Sequence, residues 1–143
     1  CIYSSSNSRM DTIQASILLN KFKTIDSIIA KRKINALYYL KHLKDIVDLP
    51  CEKNYQNDIY YTFTIKAKKR NSLAKYLFLH GIETKIQHPL LMSQQPYYKK
   101  NVKGNFPNAK KIIKKVLCLP IHEKLKKNDL AYVVKYIKKF YDK

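Results

Sequence analysis

Tryptophan is absent from this 143-residue sequence and glycine nearly so, with only Gly81 and Gly104. Two isolated glycines exclude a glycine-rich phosphate loop, which needs several in one turn. Acidic residues are scarce, ten Asp and Glu against 29 Lys and Arg. Arginine is scarce too: Arg9, Arg32 and Arg70 are the only ones. Specific phosphate and base recognition leans on the planar fork of arginine. A net charge of +19 carried almost wholly by lysine therefore reads better as a solvated surface than as a nucleic-acid interface. It still creates a field that attracts anionic metabolites, nucleotide-linked ones included. The three cysteines, Cys1, Cys51 and Cys118, have neither paired spacing nor a nearby histidine cluster. That argues for free thiols in a reducing, cytoplasmic setting and against a metal site. No apolar run approaches the ~18 residues of a membrane span, and no charged-then-apolar leader is visible.

What is present suits a packed chain. The hydrophobic fraction of 45% is ordinary for a globular protein, and the length fits one domain or a piece of a larger one. Asp11 followed by Gln14 forms a capping box that opens a helix lined by Ile13, Ile17 and Leu18. Thr24 caps a longer helix, predicted to run to about Asp48, with Ile25, Ile28, Ile29, Ala36, Leu40, Leu43 and Val47 at helical spacing and Pro50 as its stop. Ile59, Tyr61, Phe63 and Ile65 alternate with polar neighbours as in a half-buried strand. Asn71 caps a helix that ends at Gly81. Ile82 to Gln87 reads as a second strand and Val116 to Pro120 as a third. His88 to Tyr98 is a polar, tyrosine-bearing loop. Asn105 and Pro107 open another helix. Asn128 or Asp129 caps the last one, which carries a stripe of Leu130, Val133, Val134, Ile137 and Tyr141.

The predicted fold class is α/β, of an α+β-like kind: a long helix leading into a small three-stranded, mostly antiparallel sheet with helices on one face. Residues 1–50 form a helical segment and residues 51–143 a small α/β domain. The first two helices are expected to be poorly buried within the chain. Few residues suggest chemistry. His42 and His80 lie on helices, and His122 follows Pro120 near a helix start, where structural roles are the default. His88 sits in a polar loop, where a turn is the default and a ligand contact the minority reading. Tyr97 and Tyr98 read first as core edges. Asn7 and Arg9 precede a helix N-terminus, where exposed amide groups favour an anion, although solvent exposure explains them equally well.

"NSRMDTIQASILLNKFKTIDSIIAKRKINALYYLKHL" resembles a segment of the DegT/DnrJ/StrS family of sugar aminotransferases, in which N-x-R-[ML]-D-x-[IL]-Q-A opens a pair of helices. "DIYYTFTIKAKKRNSLAKYLFLHGIETKI" is similar to the family's strand, helix and "GI.T" strand. "QHPLLMSQQPYY" resembles its "HYP.PLH.QP.Y" loop, and "GNFPNAKKIIKKVLCLPIHEKLKKNDLAYVVKYIKKF" its ending. The resemblance implies the C-terminal part of an aspartate-aminotransferase type (fold type I) enzyme. The large domain, the lysine that forms the Schiff base with pyridoxal 5'-phosphate and most of the cofactor pocket would then belong to the missing N-terminal part. It also implies a homodimer, a nucleotide-sugar substrate, an amino donor such as glutamate, and a place in surface-polysaccharide or glycan sugar synthesis. By the resemblance Asn7 reaches the cofactor phosphate of a partner subunit, and Arg9 meets an anionic substrate group. No catalytic residue falls in this chain. Gln87 and His88 stand where the family usually has His and Tyr, and Ser93 replaces its common His. These positions lie near the sugar in the family, so Gln87 and His88 are substrate candidates whose sugar is unassigned. A non-enzymatic remnant or split subunit and a basic nucleic-acid-binding module are the alternatives.

Overall fold

The computed structural model describes residues 9–101 and 104–142. Helix α1 (Thr12–Phe22) opens as the sequence predicts, with Gln14 Oε1 accepting the Asp11 N–H at 3.4 Å. It has no buried residue, and Ile13 and Phe22 are 76% and 66% exposed. Helix α2 (Ile25–Leu43) behaves differently from the expected poor burial. Asn35, Ala36, Tyr39 and Leu43 are buried, because its C-terminal half packs on the last helix. It also ends five residues before Asp48. Asp48 is extended instead and exchanges two backbone hydrogen bonds with Lys66, at 3.2 and 2.9 Å.

The sheet has two strands, β1 (Phe63–Lys66) and β2 (Val116–Leu119), paired antiparallel with Phe63 opposite Leu119 and Ile65 opposite Leu117. Those four side chains share a face, since alternate residues point the same way, and all are buried. They join Tyr39 and Leu43 of α2, Leu73 and Leu77 of α3 (Arg70–Leu79), and Leu130, Val133, Val134 and Ile137 of α6 (Lys127–Tyr141) in one core. The Tyr39 and Phe63 ring centroids are 5.1 Å apart. Truncating a core side chain of this kind to alanine costs about 2–5 kcal/mol.

Three strands were predicted, and two local causes reduce them. The Ile82–Gln87 stretch is reduced to one bridge, in which Lys85 and Cys118 exchange bonds of 3.1 and 2.8 Å. The next pair along that register is Glu83 with Pro120, and Pro120 has no N–H to donate. The same arithmetic explains the Asp48 bridge on the other edge, where the next partner of Thr64 is Pro50. The predicted strand from Ile59 starts only at Phe63. Tyr60 has a left-handed backbone, φ 49°, and Arg32 Nη1 donates to the Tyr60 and Tyr61 carbonyls at 3.3 and 3.1 Å. Those carbonyls are thus turned to a side chain and not to a ladder.

Gly81, φ 72°, ends α3 as predicted. Its N–H donates to the Phe78 carbonyl and the Ile82 N–H to the Leu77 carbonyl, the Schellman pattern. The cap of α3 is Lys69, itself left-handed at φ 52°, and not Asn71. The last helix begins at Lys127 rather than after Asn128 or Asp129; Asp129 sits one turn in, and its carboxylate accepts the Lys126 N–H at 2.8 Å. Helix α5 (Pro107–Ile113) starts on its proline as predicted. Short α4 (Pro96–Lys99) lies inside the expected loop, where Tyr97 and Tyr98 are half-buried, with rings edge to face at 5.0 Å. Cys51 and Cys118 are free thiols; Cys1 lies outside the described residues. No helix of the described residues is long and apolar enough to cross a membrane.

Candidate functional site

The Lys85 bridge fixes the base of the loop that carries Gln87 and His88 against β2. Both residues are exposed, and though adjacent they border different grooves. Gln87 lines an open groove of about 470 Å³ with Tyr61, Lys85, Cys118, His122 and Asp129. Its walls combine these polar and charged groups with the apolar side chains of Ile82, Ile121, Leu125 and Val133. His88 lines a groove of about 530 Å³ with Leu91, Met92, Ala109, Ile112 and Val116, an almost wholly apolar wall. Ser93, where the family motif has His, borders a third groove of about 540 Å³ with Met92, Tyr98 and Phe106.

The far wall of the Gln87 groove is held from α2. The buried Asn35 Nδ2 donates to the His122 carbonyl at 2.9 Å, and the buried Tyr39 hydroxyl to the Pro120 carbonyl at 3.1 Å. Burial, and secondarily the Asp129 charge, push the Tyr39 phenol well above its ordinary value. His122 Nδ1 accepts the Lys124 N–H at 3.2 Å, so its proton-bearing nitrogen when neutral is Nε2. Glu123 is held below the usual carboxylate range, chiefly by its own backbone N–H and then by Arg32, His122 and Lys124. Arg32 Nη2 lies 3.8 Å from its Oε2.

Arg9 lines none of these grooves. It stands before α1 with its side chain 90% exposed, 3.6 Å from Asp11. Asn7 lies outside the described residues. The structure therefore does not bring Arg9 together with Gln87 and His88 within this chain. Sequence reading missed Asn35, Tyr39, Pro120 and Cys118 as parts of the site. Asn35 is the buried polar residue on an otherwise apolar helix face, and that break in the α2 stripe was the available signal.

The described residues do not by themselves fit pyridoxal phosphate. The cofactor needs a lysine held in an enclosed pocket, whereas every described lysine is exposed or half-buried. The grooves are open, and among the described residues no cluster of His, Cys, Asp and Glu could hold a metal ion.

Residues 2–138 match the model of the DegT/DnrJ/EryC1/StrS aminotransferase family. The chain belongs to this family. The DegT family is dependent on pyridoxal phosphate, and its solved members have the fold type I architecture. A "pleiotropic regulatory protein" of Geobacillus stearothermophilus is 35% identical over 141 residues, covering 94% of this chain and 38% of the relative. The dTDP-3-amino-3,6-dideoxy-alpha-D-galactopyranose transaminase of Aneurinibacillus thermoaerophilus is 29% identical, covering 94% of this chain and 37% of the relative. Among solved structures, S. venezuelae DesV in complex with a ketimine intermediate superposes with a TM-score of 0.89 at 26% identity, covering 99% of this chain and 39% of that one. A family aminotransferase from Brucella abortus gives 0.88 at 28% identity, over 94% and 37%. This DegT-family chain thus spans under two-fifths of the length of the proteins it resembles, and it matches their C-terminal portion.

Proposed function

We propose that this chain is the C-terminal portion of a pyridoxal-phosphate-dependent aminotransferase that transfers an amino group, from glutamate or a similar donor, to a keto-sugar nucleotide for glycan sugar synthesis. The observation that carries the reading is the end-to-end likeness, in sequence and in backbone, to sugar aminotransferases. The poor fit of the described residues to the cofactor supports a division of labour. The chemistry resides in the rest of the protein, and this chain borders the pocket. Residues 1–50 serve as the link to the large domain and the dimer interface, and residues 51–143 as the small domain.

The exposure of Arg9 and of the α1 stripe supports a site completed by another subunit of a homodimer. A guanidinium that is 90% exposed here is free to take an anionic substrate group, and a bidentate contact of that kind is among the stronger hydrogen-bonded pairs. Asn7 serves the cofactor phosphate. Gln87 and His88 serve the sugar, with Gln87 facing the groove that it shares with Lys85, His122 and Asp129. A cytoplasmic setting suits these substrates.

The test uses the full-length protein that bears this chain. Asn7→Ala should weaken cofactor retention, and Arg9→Ala should raise the sugar-nucleotide KM or lower turnover by about tenfold or more, as loss of a charged hydrogen bond of ~1.5–3 kcal/mol implies. Wild-type kinetics and cofactor content in both variants would refute the assignment.

A further inference from the structure

We propose that the turn between β1 and α3 is a second anion site, apart from the grooves at Gln87 and His88, which takes a nucleotide: phosphates in a lysine-lined groove and the base in an aromatic groove beside it. Two basic segments meet here. Lys66, Lys68, Lys69, Arg70 and Lys75 lie on one, Lys110, Lys111, Lys114 and Lys115 on the other, and neither segment contains an acidic residue. The chain joins them through the Ala67 N–H and the Lys115 carbonyl at 2.8 Å. Lys68, Lys69, Arg70, Ser72, Lys114 and Lys115 line a groove of about 480 Å³. The Arg70 guanidinium is anchored by Nη1 on the Val116 carbonyl at 3.2 Å, and its buried Nε has no hydrogen-bond partner among the described residues. Lys69, the cap of α3, carries a donor where an acceptor usually sits, so the positive end of the helix adds to the same field.

A second groove of about 480 Å³ shares Lys68, Lys69 and Ser72 with the first and is walled by Tyr76, Phe140 and Tyr141. The Tyr141 hydroxyl donates to the Lys68 carbonyl at 2.7 Å, which ties the aromatic wall to the lysine turn. Asp48, bridged to Lys66, and Asp142, next to Tyr141, adjoin the patch, and neither lines a groove. Cationic side chains beside aromatic rings are the arrangement that holds a phosphate backbone and stacks a base without regard to sequence. The sequence alone favoured a diffuse lysine surface; the fold gathers these lysines onto one turn and sets rings beside them. Free nucleoside triphosphates and single-stranded nucleic acid offer the same chemistry.

The test uses the full-length protein bearing this chain and three probes: ATP, a fluorescent oligothymidylate of about 12 nucleotides, within the usual site sizes, and inorganic tripolyphosphate. A groove triple variant, Lys68→Ala with Lys69→Ala and Lys115→Ala, is compared with a triple of equal charge elsewhere, Lys21→Ala with Lys23→Ala and Lys31→Ala. The groove triple should weaken binding about tenfold and reduce the salt slope for the strand by about 2, since each phosphate contact on a single strand contributes ~0.7. The other triple should change affinity less than about twofold. Tyr141→Leu should weaken the two base-bearing probes about fivefold or more and leave tripolyphosphate unchanged; Phe140→Leu repeats that test should Tyr141→Leu fail to fold. Tighter binding of the strand assigns nucleic acid, and tighter binding of ATP assigns free nucleotide. Equal effects of the two triples, base-bearing probes no tighter than tripolyphosphate, or no binding at all would overturn the proposal.

Discussion

Replacing Tyr39 by phenylalanine isolates one hydrogen bond in the middle of the fold. The ring is fully buried and stays in place against Phe63, so no cavity forms. Only the bond from the hydroxyl to the Pro120 carbonyl, 3.1 Å long, disappears. A bond of this kind contributes ~0.5–1.5 kcal/mol, and an acceptor left buried without a partner adds toward ~3. Pro120 is half-buried, so water reaches its carbonyl in part, and the loss should be about 1–1.5 kcal/mol. Asn35→Ala removes the neighbouring bond to the His122 carbonyl at 2.9 Å; His122 is exposed, and the cost should be about 1 kcal/mol. With a urea m-value of ~1–3 kcal/mol/M, each change shifts the unfolding midpoint by about 0.3–1.5 M. The slope should stay unchanged. Tyr39→Ala should lose about 3–5 kcal/mol, because it also empties the ring site. Circular dichroism against urea measures all three. Should Tyr39→Phe leave the midpoint unmoved, or fall as far as Tyr39→Ala, the claim that α2 holds the groove wall through these two bonds is wrong.

Other outcomes follow from the same geometry. Burial first, then the hydrogen bond to Glu52 Oε2 at 3.2 Å and the charges of Glu52 and Asp58, push the Tyr60 phenol up to about 12. The native phenol thus keeps its proton where the unfolded one, near 10, loses it. Its contribution is full below about pH 10 and is lost as the pH rises toward about 12. Tyr60→Phe should flatten the alkaline decline in stability measured by pH-jump denaturation, and an unchanged decline contradicts this. The 143-residue chain alone should yield no turnover and no stoichiometric, borohydride-trappable cofactor adduct at a single lysine; mass spectrometry that finds one, with turnover, refutes the assigned division of labour. The same isolated chain should self-associate through Ile13, Ile17, Leu18 and Phe22, which are all exposed. Sedimentation of a monomer at all concentrations would count against that.

Much of the fold was legible because local signals were strong. The Asp11–Gln14 box, the left-handed stop at Gly81 and the α6 stripe from Leu130 to Ile137 each depend on residues within one or two turns. The misreadings arose where distant groups decide. Nothing near Ile59 announces that Arg32, 28 residues earlier, takes the Tyr60 carbonyl. Nothing near Glu83 announces that its ladder partner is a proline. The α2 terminus was overextended because Val47 keeps helical spacing while Asp48 is drawn to Lys66. For the candidate site, resemblance named Gln87 and His88, and the fold sets them on separate grooves. Asn35 showed only as a polar break in the α2 stripe, and Tyr39 was hidden because on one helix a buried anchor and a core residue follow the same spacing.

The two prolines beside the sheet have a consequence for how this family can vary. Pro120 and Pro50 each confine a flanking segment to one bridge. Among the described residues, the segment at Lys85 therefore joins the ladder through one pair of backbone hydrogen bonds, both with Cys118. Ile86 still packs against the core of Phe63, Ile65, Leu117 and Leu119, whereas Gln87 and His88 beyond it are exposed. A chain built this way can vary exposed loop positions such as Gln87 and His88 while the strands that carry the loop keep their pairing. The opposite wall has no such freedom: Pro120 and His122 are held by Tyr39 and Asn35, so a change there is felt by the core.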